Sequence, residues 1–193
     1  MLQKKSLTSA LMLGLIATAS LGGYAAQPVR ADANPMVGGA AMLPTKNIIE
    51  NAINSKDHTT LVAAVKAAGL VETLSGAGPF MVFAPTNDAF AKLPAGTVDT
   101  LLKPENKAAL TKVLTSHVVG TAVMAAAIGK MVDDDKGAHP VKTLSGAMLM
   151  AKKSKDGKLT LTDESGGTAT VTIADVKQSN GVIHVIDAVL LPK

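Results

Sequence analysis

Two short apolar segments, about a hundred residues apart, constrain this chain more than anything else in it. Gly78–Phe90 reads G-P-F-M-V-F-A-P-T-N-D-A-F, and Asn180–Pro192 reads N-G-V-I-H-V-I-D-A-V-L-L-P. Each reads as a buried strand with polar residues fixed at one end. In the first, a strand over Phe80–Ala84 ends at Pro85. Thr86, Asn87 and Asp88 then stand where free N–H groups of a following helix, Asp88–Leu93, need acceptors, and that helix buries Phe90. In the second, Asn180-Gly181 is a turn that admits positive φ. The strand after it alternates, with Val182, His184, Ile186 and Ala188 on one face and Ile183, Val185, Asp187 and Val189 on the other. His184 and Asp187 therefore point apart and form no pair within the strand.

The rest of the chain divides by periodicity. Ile48, Ile49, Ala52 and Ile53 recur at helical spacing. Leu61, Val62, Val65 and Ala68 line a second helix, which Asp57 or Thr59 would cap and Gly69 would stop. Leu70, Val71 and Leu74 make a short helical piece, and Val98, Leu101 and Leu102 another turn. Pro104 opens a longer helix carrying Ala108, Leu110, Val113 and Leu114. From His117 the pattern changes: His117–Val119 is a strand and Ala122–Ile128 a short helix. Beyond Gly129 strands are expected at Val141–Leu144, Ala147–Lys153, Lys158–Thr162, Ala169–Ala174 and Val182–Leu191, with a hairpin turn at Asp156-Gly157. Helices early and strands late make an α+β fold rather than a βαβ repeat.

The N-terminus has the pattern of a secretory signal peptide. Lys4 and Lys5 precede an uncharged apolar run, Leu7–Leu21, and small residues follow at Gly22, Gly23, Ala25 and Ala26. The run is short for a membrane span of about 20 residues. Residues 1–31 are thus expected to be a leader, cleaved after Ala25 or Ala31. Residues 32–44 are expected to be a flexible linker whose apolar side chains could pack in part, and the domain to occupy 45–193. The chain has no cysteine, so a secreted form has to be stable through its core alone. The net charge of +4 falls to +1 if Lys4, Lys5 and Arg30 leave with the leader. Lys152, Lys153, Lys155 and Lys158 flank a turn and read as a solvated hairpin tip. Beyond Tyr24, the aromatics are Phe80, Phe83 and Phe90. Neither a nucleic-acid footprint nor a stacking platform remains.

The two segments closely resemble the signature boxes of the fasciclin (FAS1) domain. Phe83–Phe90 carries F-A-P-T-N-D-A-F, and Asn180–Asp187 carries N-G-V-I-H-V-I-D. Where the family has a Tyr-His pair closing a Leu-rich helix, this chain has Ser116-His117, and Asp175-Val176 matches the family's acidic-aliphatic segment. The resemblance runs from about Asn47 to Pro192. It implies a helix-rich N-terminal half packed on a β-sandwich-like arrangement of short strands. It also implies a secreted, periplasmic or cell-surface module for adhesion, non-enzymatic and without a cofactor, and the short leader, single domain and lack of cysteine read as bacterial. The partner would be a surface or matrix protein, a glycan or a lipid; nucleic acid is not expected, nor an integral membrane form after leader cleavage. Thr86, Asn87, Asp88, His117, Asn180, His184 and Asp187 are then the family-motif residues, with structural roles as caps, turn and buried hydrogen bonds. The alternative expectation is binding of a hydrophobic small molecule, a lipid or carotenoid.

Catalytic patterns are missing. His58, His117, His139 and His184 show no compact metal-binding spacing. Asp133-Asp134-Asp135 lacks the alternation, glycine and distal glutamate of a calcium loop and reads as solvated. There is no G-x-S-x-G elbow, and Gly76-Ala77-Gly78 runs into Pro79 and a strand rather than a helix. His117 and His184 read as partly buried histidines bonded to backbone. The seven methionines beyond the leader fill the core or line a soft apolar groove.

Overall fold

The computed structural model describes residues 34–192. The first of these were expected to be linker and instead fold. β1 (Met36–Val37) and β2 (Ala40–Ala41) form an antiparallel hairpin, and Val37 and Met42 are buried in the core. The Lys56 N–H donates to the Gly38 carbonyl at 3.1 Å. Gly38 has φ +58, and a Cβ on it would run into Ser55 Oγ, so the hairpin docks through a glycine. Burial of two apolar side chains outweighs the loop-like composition.

Helices then accumulate. α1 (Ile48–Asn54) opens with a reciprocal capping box, in which Asn47 Oδ1 accepts the Glu50 N–H at 2.9 Å and a Glu50 carboxylate oxygen accepts the Asn47 N–H at 2.9 Å. A 3₁₀ turn, Lys56–His58, leads directly into α2 (Thr59–Ala68). Gly69 ends α2 at φ +74, with the Leu70 N–H returning to the Val65 carbonyl at 3.0 Å. α3 (Val71–Ser75), β3 (Phe80–Pro85), α4 (Asn87–Ala91) and α5 (Thr97–Leu101) follow. Pro104 starts a short 3₁₀ turn, Pro104–Asn106, before α6 (Lys107–Thr115), and β4 is Val118–Val119.

The next helix differs from the sequence expectation. α7 spans Ala125–Asp134 and runs through Gly129 rather than stopping near it. A Cβ on Gly129 would sit 3.0 Å from Lys153 Cε, so the glycine lets a neighbouring strand's lysine stem lie against the helix. The acidic run is accordingly not a free loop. Asp133 pairs with Lys153, and Asp135 Oδ2 meets His139 Nδ1 at 2.6 Å. Strands complete the chain: β5 (Ala138–Lys142), β6 (Met148–Lys153), β7 (Leu159–Thr162), β8 (Thr168–Gln178) and β9 (Gly181–Ile186).

The seven strands from β3 onward form one mixed sheet in the order β4-β3-β9-β8-β7-β6-β5. The two boxes are neighbours at its heart: β3 and β9 run parallel, with Phe80 opposite Gly181 and Phe83 opposite His184, and the other pairs are antiparallel. Both strands are covered on both faces. Val82, Ala84, Ile183 and Val185 join the helical core with Ile49, Val65 and Leu110. Met81, Phe83 and Ile186 join a second core with Ile128, Leu149 and Leu161. β8 is irregular, with register shifts between Val171 and Val176, and Asp175 there takes φ +60. The sheet's two edges meet at one point, where the Leu144 N–H, just past β5, donates to the Val118 carbonyl of β4 at 2.7 Å.

Candidate functional site

Most polar residues of the boxes are engaged inside the fold. Thr86 Oγ1 accepts the Ala89 N–H at 3.2 Å and caps α4. Asn87 turns away from its own helix. Its Oδ1 accepts the Thr60 N–H at 3.0 Å and the Thr59 hydroxyl at 3.2 Å, and its Nδ2 donates to the Lys56 carbonyl at 2.8 Å. Neither Asp57 nor Thr59 caps α2. The 3₁₀ turn places His58 at the cap position without a side-chain bond, so the acceptor comes from the start of α4. Asp88 is exposed, and its carboxylate takes no hydrogen bond among the described residues. It lies in the first turn of α4, where negative charge complements the helix dipole.

Asn180 joins three elements. Its Oδ1 accepts the Ile48 N–H at 3.1 Å, its Nδ2 donates to the carbonyls of Leu74 at 2.8 Å and Gly76 at 3.0 Å, and its own carbonyl accepts the Phe80 N–H at 3.0 Å. The chain does turn at Asn180, but without the positive φ that Asn-Gly admits, since neither Asn180 nor Gly181 has positive φ. Gly181 is required for another reason: a Cβ there would collide with the Phe80 carbonyl.

Both family histidines are buried and bonded to backbone. His117 Nε2 accepts the Leu190 N–H at 3.0 Å, which places the ring proton on Nδ1, donating to the Val113 carbonyl at 2.8 Å. His184 has the opposite tautomer. Its Nδ1 accepts the Asp175 N–H at 3.2 Å, so its Nε2–H donates to the Val123 carbonyl at 3.0 Å. The ring stacks on Phe83 with centroids 5.7 Å apart. Burial pushes both histidines below their ordinary pKa of 6.5, against a smaller upward pull from the Val113 and Val123 carbonyls. Asp187 has separate partners: Oδ1 accepts the Thr170 N–H at 2.7 Å, and Lys92 Nζ donates to the Asp187 carbonyl at 2.7 Å.

These bonds position the walls of an apolar trough. His184 holds Val123, and Asp175 Oδ1 accepts the Ala125 N–H at 2.6 Å, fixing the start of α7. Opposite, Ser116 is buried, where the family tyrosine would stand. Its hydroxyl donates to the Lys112 carbonyl at 2.7 Å and meets Ser145 Oγ at 2.8 Å, and Thr143 Oγ1 meets the same Ser145 oxygen at 2.9 Å. That network holds the β5–β6 turn against the end of α6. Between the walls lies a trough of about 460 Å³ lined by Met81, Val119, Val123, Ile128, Val141 and Leu144. His139 and Lys142 also border it. Met131 and Leu144 remain 38% and 47% exposed beside it. A more open depression of about 540 Å³ surrounds Gly78-Pro79 and Asn180.

Several residues in this framework have no sequence signal. Asp175 was marked by the family resemblance alone, and its bond to the start of α7 comes from the bulge in β8, which no sequence feature announced. Asn51 is buried and bonds Leu43 through both its N–H and carbonyl, as well as the Gln178 side chain. Asp163 ties the β7–β8 turn to the C-terminal segment, accepting the Gly167 N–H at 2.7 Å and the Leu191 N–H at 2.8 Å. Ser55 Oγ and His58 Nδ1 lie 2.9 Å apart, the spacing of a nucleophile and its base. Both are buried, the adjoining cavity of about 20 Å³ is too small for a substrate, and Ser55 Oγ packs against Gly38 of the hairpin. Among the described residues no three His, Asp or Glu side chains converge as a metal site.

The sequence pattern of the Fasciclin domain matches residues 56–192, more than half of the chain. This chain belongs to the fasciclin family. A fasciclin relative, Protein sll1483 of Synechocystis sp., is 52% identical over 157 residues, spanning 81% of this chain and 79% of that one. The cell surface glycolipoprotein MPB83 of Mycobacterium bovis is 33% identical over 160 residues, 80% of this chain and 64% of its own. The FAS1 domain pair of the insect cell adhesion molecule Fasciclin I superimposes with a TM-score of 0.66 at 18% identity, covering 76% of this chain and 51% of the pair. That likeness establishes the fold: α+β, of the FAS1 type. Among the described residues no helix is long and apolar enough to cross a membrane.

Proposed function

We propose that this chain is a secreted or cell-surface fasciclin module that adheres through its trough face and catalyses nothing. One observation carries the reading. The box residues other than Asp88 bond inward, while Met131 and Leu144 stay exposed beside an apolar trough. Apolar side chains left at a surface depression mark an interaction site more often than a structural need. A mycobacterial cell surface glycolipoprotein and an insect cell adhesion molecule share the family or the fold, which supports the same kind of role. Residues 1–31 would direct export and be removed after Ala25 or Ala31. The partner is a surface or matrix protein or a glycan. The test is retention of the mature chain on envelope and matrix preparations, compared with Leu144→Glu and Met131→Glu. Retention lost in the variants at unchanged melting temperature supports the trough face; equal retention refutes it.

A second reading has its own observation. A volume of about 460 Å³ is in the range of small-ligand pockets, and Met81 and Met131 line it with adaptable side chains. A lipid or carotenoid would lie there. Native mass spectrometry of the purified chain checks this: a bound apolar molecule lost in Leu144→Glu supports the reading, and an empty wild type given lipid refutes it.

A further inference from the structure

We propose that Asn180-Gly181 is a fold-gated deamidation site, so that a domain which opens at this corner is chemically marked and does not close again. An asparagine followed by glycine is reactive because no side chain shields the next backbone nitrogen. The Gly181 nitrogen gives up its proton and attacks Asn180 Cγ; the new C–N bond forms, the Cγ–Nδ2 bond breaks, and Nδ2 takes up a proton and leaves as ammonia, giving a succinimide. Water then adds to one imide carbonyl and opens the ring to aspartate or isoaspartate. Water is the sole co-reactant, and nothing is oxidised or reduced.

The fold holds the side chain out of that geometry. Asn180 Oδ1 is bound to the Ile48 N–H, and Nδ2 to the Leu74 and Gly76 carbonyls, at 2.8–3.1 Å. The Asn180 carbonyl is held by the Phe80 N–H at 3.0 Å, and Gly78 packs so closely on that oxygen that it has no room for a Cβ. Cyclisation therefore needs three side-chain bonds to break and the corner between α1, α3 and β3 to open. The rate follows the open population of that corner rather than the intrinsic chemistry.

The product cannot re-form the corner. An aspartate has no N–H to give the Leu74 and Gly76 carbonyls, and it sets a negative charge against both oxygens. Isoaspartate also lengthens the backbone by one methylene where Phe80 and Gly181 are in register.

The test incubates the chain at mildly alkaline pH, folded and in urea, and maps residue 180 by peptide mass and by isoaspartate detection. Conversion at Asn180 about tenfold or more slower in the folded chain supports the gate; equal rates overturn it. Asn180→Asp imitates one product. A lowered melting temperature or loss of folding in that variant supports the one-way step, and a wild-type melting temperature overturns it. The rate comparison needs no variant to fold.

Discussion

Asn87 Oδ1 accepts the Thr60 N–H at 3.0 Å, so the first turn of α2 is capped by a residue twenty-seven positions further along the chain. The same side chain reaches the Lys56 carbonyl with its amide. One box residue thus fastens the start of α4 to the start of α2. Asn87→Ala should cost about 1–2 kcal/mol, as loss of a cap does. Asp88→Ala, next to it but exposed and without a hydrogen bond among the described residues, should change stability by no more than about 0.5 kcal/mol. Urea unfolding of the two variants checks the contrast, and equal midpoints would remove the assignment.

His117 links the end of α6 to the C-terminal segment through Val113 and Leu190, and Asp187 links β9's end to β8 through Thr170. His117→Ala and Asp187→Ala should each lower stability by about 1–3 kcal/mol, with His117 at the upper end because it is fully buried and leaves a cavity. Wild-type melting temperatures in both variants would show that these bonds contribute nothing.

Stability should fall in mild acid. His58, His117 and His184 are all held below 6.5 by burial, so between that value and their folded pKa the unfolded chain binds more protons. The stability they contribute is complete above 6.5 and is lost as pH falls below it. Melting temperature should therefore drop on going from pH 7 into the acid range, and His184→Gln should flatten that drop. A wild-type profile flat through this range would contradict the burial argument.

Ser116→Tyr, which installs the family's residue, should be destabilising here. Ser116 is buried and its hydroxyl reaches Ser145, so a phenol ring has to displace the β5–β6 turn. Overpacking of this kind costs about 1–3 kcal/mol. Hydrogen exchange at residues 143–147 should rise in the variant. Unchanged exchange and an unchanged melting temperature would mean that the turn yields freely.

Features that depend on near neighbours were legible in the sequence. Gly69 stops α2, the cap of α4 lies at Thr86, one of the two positions the sequence offered, and the hairpin around Asp156-Gly157 lies between β6 and β7. Each involves residues a few positions apart, where backbone geometry alone sets the contact. The errors fall where distant contacts decide. The hairpin at 36–41 resembles a tether until Val37 and Met42 are seen in the core, and Gly129 looks like a helix stop until Lys153 lies against it.

The sequence by itself determined the α+β class and the two buried strands, because apolar runs, turn residues and cap residues follow local rules, and it determined the family through the likeness of its two boxes to the fasciclin pattern. Only the tertiary structure decided that β3 and β9 lie side by side and parallel. It alone decided that Asn87 serves α2, that Asn180 serves α1 and α3, and that His184 serves Val123 across sixty-one positions. A hydrogen-bonding side chain carries no mark of its distant partner. The partner is chosen when the two cores close and bring the elements within reach.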